Sequence, residues 1–271
     1  MIRMLYCSNL SPRSTVDGWP RNVVACIHPA QPHALNWYHA WRDVNGVHSP
    51  ARVLLGCDRM DFPRIFLLSP AYCGGKRGQM VMRDAASFPL AQKLREPGGA
   101  PLGDVFSFLS GLYFRGKIAY SRAFAAPPAG LPGALVITPT RGLVPPESPI
   151  PLSVLREFAD QGDVSVTNAG YRGPLEEHAR ALNEAAGPGT AFVLLGSVAS
   201  GKYVDVLAGI FGERLLFPVD FVGRGDMSRG GLMLRAAADG PELEYAPVLG
   251  AVRTGRRPPK LSPRSWKKSA P

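Results

Sequence analysis

Four short apolar runs stand out along the chain: Arg64–Ser69, Ala134–Thr138, Ala191–Leu195 and Arg214–Phe217. Each is almost continuously hydrophobic, the signature of a strand buried on both faces. Between them lie segments whose apolar residues recur every three to four positions, which predicts helices. Ser87–Arg95 is one. Asp104–Tyr113 places Val105, Phe108, Leu109 and Leu112 on one face. Leu152–Gln161 ends at Gly162, a suitable cap residue. Pro174–Ala186 starts with a proline at an early helical position and stops before Gly187. Gly201–Phe211 completes the set. Strands alternating with helices predict an α/β fold: a mainly parallel central sheet with helices on both faces. Residues 1–60 read as irregular with short strands, either an N-terminal extension or a first layer of the core. Residues 61–250 read as the α/β core. The last stretch, 251–271, reads as a basic disordered tail.

In a parallel sheet, ligands bind beyond the carboxyl ends of the strands, so the segments after the apolar runs are where chemistry is expected. Ser69–Gly78 contains glycines whose amides can cradle a phosphate, with Lys76 and Arg77 for charge, Tyr72 for stacking, and Cys73. Leu112–Tyr120 interleaves aromatics with Arg115 and Lys117, a pattern suited to stacking on a base while holding the backbone. Thr138–Glu147 is stiffened by prolines and offers Arg141 for a phosphate and Glu147 as an acid or base. Gly196–Tyr203 fits G-x-x-x-x-G-K. Tyr203, however, occupies the position where a phosphate-binding loop needs Ser or Thr for magnesium, so nucleotide hydrolysis is not expected. Lys202 can still meet a phosphate at a helix start. Val222–Leu232 frames Asp226 with glycines, between Arg224 and Arg229, and adds Ser228.

Charge sharpens this picture. The formal net charge is +10, and the final 21 residues carry Arg253, Arg256, Arg257, Lys260, Arg264, Lys267 and Lys268 with no acid. Such a segment is suited to a polyanion, with salt-dependent affinity from released counterions. The four cysteines (Cys7, Cys26, Cys57, Cys73) form no C-x-x-C pair. His28, His33, His39 and His48 cluster near Cys26 at spacings that match no zinc finger or ribbon, so no metal is expected. No apolar run approaches the length of a membrane span and no secretory leader is evident, so the expected location is the cytoplasm.

Phe66-Leu-Leu-Ser-Pro-Ala71 resembles the start of the bacterial peroxide-stress DNA-binding family. With its Cys-Gly-Gly-Lys continuation, and with Val136-Ile-Thr-Pro-Thr-Arg-Gly-Leu-Val-Pro-Pro-Glu147, it is similar to the core domain of archaeosine synthases. Phe192–Gly196 followed by Leu215–Leu232 resembles the second half of uracil-DNA glycosylases. The resemblance spans roughly residues 63–235. Two glycosylase signatures are absent: Gly-Gln-Asp-Pro-Tyr, and the His-Pro-Ser-Pro loop, near whose place Gly225–Arg229 stands. In overall character the chain resembles the anti-phage DNA glycosylases that excise glucosylated hydroxymethylcytosine.

The resemblance implies a uracil-DNA-glycosylase-like three-layer sandwich that flips a modified base out of double-stranded DNA and cleaves its N-glycosidic bond. The expected carboxylate is Asp226, then Glu147. Lys76, Arg77 or Asn168 would stabilise the leaving base, and Tyr72 and Tyr113 would stack on it, with Cys73 beside them. Arg115, Lys117, Arg141, Lys202, Ser228 and Arg229 would hold phosphates. No cofactor is required, and a monomer is expected. The rival expectations are a non-catalytic DNA-binding stress protein of the same fold and a base-modifying transferase of the archaeosine type.

Overall fold

A computed structural model of the protein describes residues 62–199 and 201–262. The expectations for residues 1–60, including the Cys26–His48 stretch, lie outside the described residues, as do the last nine of the basic tail.

The four apolar runs are the parallel strands of one sheet. They are β1 (Arg64–Leu68), β3 (Ala134–Ile137), β6 (Ala191–Leu195) and β7 (Leu215–Pro218). β1 pairs with β3 on one side, Phe66 opposite Ala134. On its other side it pairs with β6, Arg64 opposite Ala191. β6 pairs with β7. Two short antiparallel strands complete the edges: β4 (Leu143–Val144) on β3 and β8 (Tyr245–Pro247) on β7. The order is β4-β3-β1-β6-β7-β8. A separate pair joins β2 (Ala100–Pro101) to β5 (Pro149–Ile150).

Because side chains alternate along a strand, each run feeds two cores. Phe66, Leu68, Val136, Val193 and Leu195 face one layer of helices. That layer comprises α1 (Lys76–Met82), α2 (Pro89–Lys93), α3 (Leu102–Ser110), α4 (Leu112–Phe124), α5 (Leu152–Asp160) and α8 (Asp226–Asp239). Ile65, Leu67, Leu135, Ile137, Phe192 and Leu194 face the other layer, α6 (Ala169–Ala186) and α7 (Gly201–Phe211). Burying each of these side chains contributes about 1.5–3 kcal/mol. The fold is therefore α/β, with a mainly parallel sheet covered on both faces.

Two segments read as functional loops are largely helical. Leu112–Tyr120 lies within α4, where Tyr113, Phe114, Lys117, Tyr120 and Ser121 are buried at helical spacing. The break before it is Gly111, at φ 64°, a left-handed conformation that glycine adopts freely. It divides one expected helix into α3 and α4. Likewise, Val222–Leu232 becomes helical from Asp226 onward.

The tail also differs from expectation over its first half. Residues 251–262 have no regular secondary structure, yet they run along α8. Arg224 Nη1 donates to the Pro259 carbonyl at 3.4 Å and Arg235 Nη2 to the Ser262 carbonyl at 2.5 Å. Main-chain acceptors thus anchor a strap whose Arg253, Arg256, Arg257 and Lys260 side chains face solvent.

Candidate active-site cleft

The site follows from topology. After β1 the chain turns to the α1–α4 layer, and after β6 it turns to α7 on the opposite face. Neighbouring strands whose exits diverge leave a crevice at their carboxyl ends. A cleft of about 500 Å³ lies there. Its walls come from the segment after β1 (Ser69–Tyr72 and Gly75–Gly78), from Ser197 and Tyr203 after β6, from Leu109, Ser110 and Tyr113 at the α3–α4 junction, and from Asp226.

Of the residues expected from the sequence, Tyr72, Lys76, Arg77, Tyr113 and Asp226 meet in this cleft. Tyr72 is 79% exposed and folds over Gly74 and Gly75. Arg77 Nη1 donates to the Phe108 carbonyl at 3.0 Å. Asp226 is the first residue of α8, where the helix dipole favours a carboxylate. Its side chain is 69% exposed, and its Oδ1 lies 3.6 Å from Arg229 Nη1. Tyr113 is buried, and burial pushes its phenol pKa up. Its Oη has no hydrogen-bond partner among the described residues. The nearby Arg229 guanidinium pulls against that shift, but outside hydrogen-bond geometry. That hydroxyl is itself enclosed and the ring lies against Lys117 Nζ, so Tyr113 packs into the cleft wall rather than offering a face for stacking on a base.

Lys117 and Arg229 lie beneath the floor and do not offer charge at the surface. Lys117 Nζ donates to the Ser69 carbonyl at 2.8 Å and to Ser69 Oγ at 2.7 Å, and sits 4.0 Å from the Tyr113 ring centroid. Burial lowers its pKa to about 7; Asp226 pulls it upward and Arg229 downward. Arg229 donates from Nε and Nη2 to the Phe221 carbonyl at 3.2 and 3.0 Å. It lies beneath Asp226 at ion-pair distance, buried and so not placed to grip a phosphate.

The remaining expected residues have other duties. Glu147 sits at the amino end of the sheet beside Gly133 and Ala134, 3.7 Å from Arg122. Antiparallel β4 carries the chain back there, so Thr138–Glu147 is not one carboxyl-end loop. Asn168 caps α6: its Oδ1 accepts from Gly170 N at 3.0 Å and its Nδ2 donates to the Asp163 carbonyl at 2.8 Å. Arg141 forks onto Glu157 at 3.2 and 2.7 Å, and Thr140 also donates to Glu157. Burial opposes Glu157 ionisation, yet these bonds outweigh it and lower the pKa. Cys73 is buried, its Sγ donating to the Ala71 carbonyl at 3.5 Å, and burial pushes its thiol up to about 12. That makes it a packed thiol, not a base contact. Ser228 Oγ accepts from Arg224 Nη1 at 3.3 Å. Arg115 and Lys202 are exposed and are not among the cleft-lining residues.

Ser69, Ser110, Ser197 and Tyr203 are polar lining residues for which the sequence suggested no role in the site. Ser69 ends the first apolar run, and a strand's last polar residue was the available signal. Another hollow, about 370 Å³, lies between α6 and α7. There Glu176 engages both Arg172 and Arg180, and no aromatic side chain lines it. Among the described residues no cluster of His, Cys, Asp and Glu could hold a metal, and no helix is long and apolar enough to cross a membrane. Comparison of the chain with protein-family profiles, curated proteins and solved structures finds no match to any of them.

Proposed function

We propose that this chain is a DNA glycosylase of the uracil-DNA-glycosylase-like kind, hydrolysing the N-glycosidic bond of a modified base flipped out of double-stranded DNA. The observation that carries the reading is Asp226: an exposed carboxylate at the start of α8, 3.6 Å from the Arg229 guanidinium beneath it, on a cleft that also presents Tyr72. As a base departs, positive charge builds on the deoxyribose, and a pre-positioned carboxylate stabilises it and orients a water. Tyr72 stacks on the extruded base. Lys76 and Arg77 meet the negative charge it carries away. The cleft volume suits a base enlarged by a sugar, such as glucosylated hydroxymethylcytosine, and excision of that base would serve defence against phage. Glu147 and Asn168 have no part in this chemistry.

The test is incubation with duplex DNAs that carry different modified bases, glucosylated hydroxymethylcytosine among them, followed by scoring of alkali-labile sites. Base release by the wild type is expected to fall about 10²–10³-fold in Asp226→Asn, the scale of losing one pre-organised electrostatic partner. Unchanged release in that variant would remove Asp226 from the mechanism. Binding without release from any DNA would replace the enzyme with a DNA-binding protein. An altered base still attached to its sugar would indicate a transferase.

A further inference from the structure

The hydrolysis described above leaves the departing base in need of a proton, and the best-placed source lies under the cleft. Lys117 is 1% exposed and does not line the cleft itself. Two of its three N–H bonds point at one residue, Ser69, through the carbonyl oxygen and Oγ. Ser69 does line the cleft. Its hydroxyl lies near the Tyr203 phenol, whose pKa burial raises to about 12 while Asp226 adds to the rise and Ser69 works against it. The charged and titratable groups facing Lys117 are Tyr113 from its own helix, Asp226 and Arg229 from α8, and Tyr203 from α7 through Ser69. A buried ammonium is costly unless well engaged, and here the Ser69 carbonyl, the Ser69 hydroxyl and the Tyr113 ring face engage it, of which the hydroxyl can pass a proton on.

We propose that Ser69 is the general acid of the cleft and that Lys117, acting through it, supplies the proton taken by the leaving base. This rests on the glycosylase reading. As the bond between the sugar carbon and the base nitrogen breaks, its electron pair leaves with the base. Ser69 Oγ passes its proton to that base while Lys117 Nζ passes one to Ser69 Oγ, leaving a neutral amine. The water oxygen bonds to the sugar carbon and gives its proton to the Asp226 carboxylate. Solvent then takes the proton from Asp226 and returns one to Lys117. The sum is addition of one water across the bond, with no oxidant or reductant.

The protonated amine is the active form, and burial sets its pKa near 7. The rate therefore holds below about pH 7 and falls roughly tenfold per pH unit above it. The test is the pH profile of kcat/KM for base release, from pH 5 to 9, in the wild type, Ser69→Ala and Lys117→Met. Ser69→Ala removes one oxygen and keeps the Lys117 bond to the main-chain carbonyl, so it preserves the packing. Both variants are expected to lose about 10²-fold at pH 6, the usual scale of general acid catalysis, and to lose the alkaline fall. A Ser69→Ala enzyme with the wild-type rate and profile overturns the relay and leaves the glycosylase reading standing. Nitrogen-15 NMR of the Lys117 ammonium gives a second readout that needs no variant: its titration midpoint is expected to coincide with the alkaline fall of the rate, and a midpoint more than about one pH unit away from that fall overturns the proposal. Absence of base release by the wild type from every DNA overturns both readings together.

Discussion

Gly116 and Gly230 meet backbone to backbone. A Cβ on Gly116 would lie 2.8 Å from the Gly230 carbonyl oxygen, and a Cβ on Gly230 would lie 2.8 Å from both the Leu112 carbonyl oxygen and the Tyr113 Cα. No side chain fits there without parting α4 from α8. Tyr113 and Lys117 flank this contact on one helix, and Asp226 and Arg229 precede it on the other. The contact therefore sets the depth of the cleft floor.

Gly116→Ala and Gly230→Ala are each expected to lower stability by about 1–3 kcal/mol, the cost of overpacking a fixed contact. Thermal melts measure this. Base release is expected to fall further than the melt alone explains, because Asp226 moves with α8.

The pH dependence of stability reports Lys117. Its folded pKa, about 7, lies below the ordinary lysine value of 10.5. Between those values the unfolded chain holds a proton that the folded chain has lost, so this group makes stability rise as pH climbs from 7 toward 10. Cys73 acts oppositely. Its folded pKa of about 12 exceeds the ordinary 9.0, so above about pH 9 the unfolded thiol ionises first and stability falls. Urea melts from pH 6 to 10 are expected to show a maximum between 8 and 10. Lys117→Met is expected to flatten the rising side alone.

Arg141 separates architecture from DNA contact. Arg141→Ala strips both forked bonds from Glu157, at a cost of about 1–3 kcal/mol for hydrogen bonds to a charged group. The Glu157 pKa is lowered in the fold, so the stability it contributes is present above its unfolded pKa and is lost as pH falls through the folded value. The variant is expected to be less stable at pH 7 and to bind DNA as the wild type does. A loss of affinity at unchanged stability would restore Arg141 to the phosphate-binding residues.

The strap carries a prediction about salt. Replacing Arg253, Arg256, Arg257 and Lys260 with Ser is expected to weaken duplex binding and flatten the logarithmic salt dependence, by about 0.9 for each phosphate no longer neutralised. Fluorescence anisotropy across 50–300 mM salt measures the slope. The anchors made by Arg224 and Arg235 engage main-chain carbonyls of the strap, so the substitution leaves the path of the segment intact.

The sheet was legible because continuous apolar runs can be satisfied only by burial on both faces. Ala191–Leu195 and Gly201–Phe211 have the same bounds in sequence and structure. The cleft was legible only in outline. Tyr72, Lys76 and Arg77 follow a strand directly, so topology alone brings them there. Lys117 was misread because a charged side chain among aromatics suggests a surface contact, whereas its spacing from Tyr113 and Tyr120 belongs to the buried stripe of a helix. Glu147 was misread because two residues, Leu143 and Val144, are too few to signal the antiparallel strand that reverses the chain. Arg141 is held by Glu157, a partner that no local pattern reveals, whereas Asn168 is a helix cap, a local pattern hidden because the helix starts five residues before Pro174.

Arg64 opens the first strand, and its Nη2 meets Glu242 Oε2 at 2.8 Å across a separation of 178 residues. Glu242 in turn accepts from Tyr245, whose hydroxyl lies 2.6 Å from that of Tyr120. The central strand thus waits on partners from the far end of the chain before its polar end is satisfied. Loops that long close slowly, and chains dominated by such pairings fold in milliseconds to seconds rather than microseconds. Refolding after dilution from denaturant should therefore be slow and limited by topology, with the strand edges open to wrong partners until the last one docks.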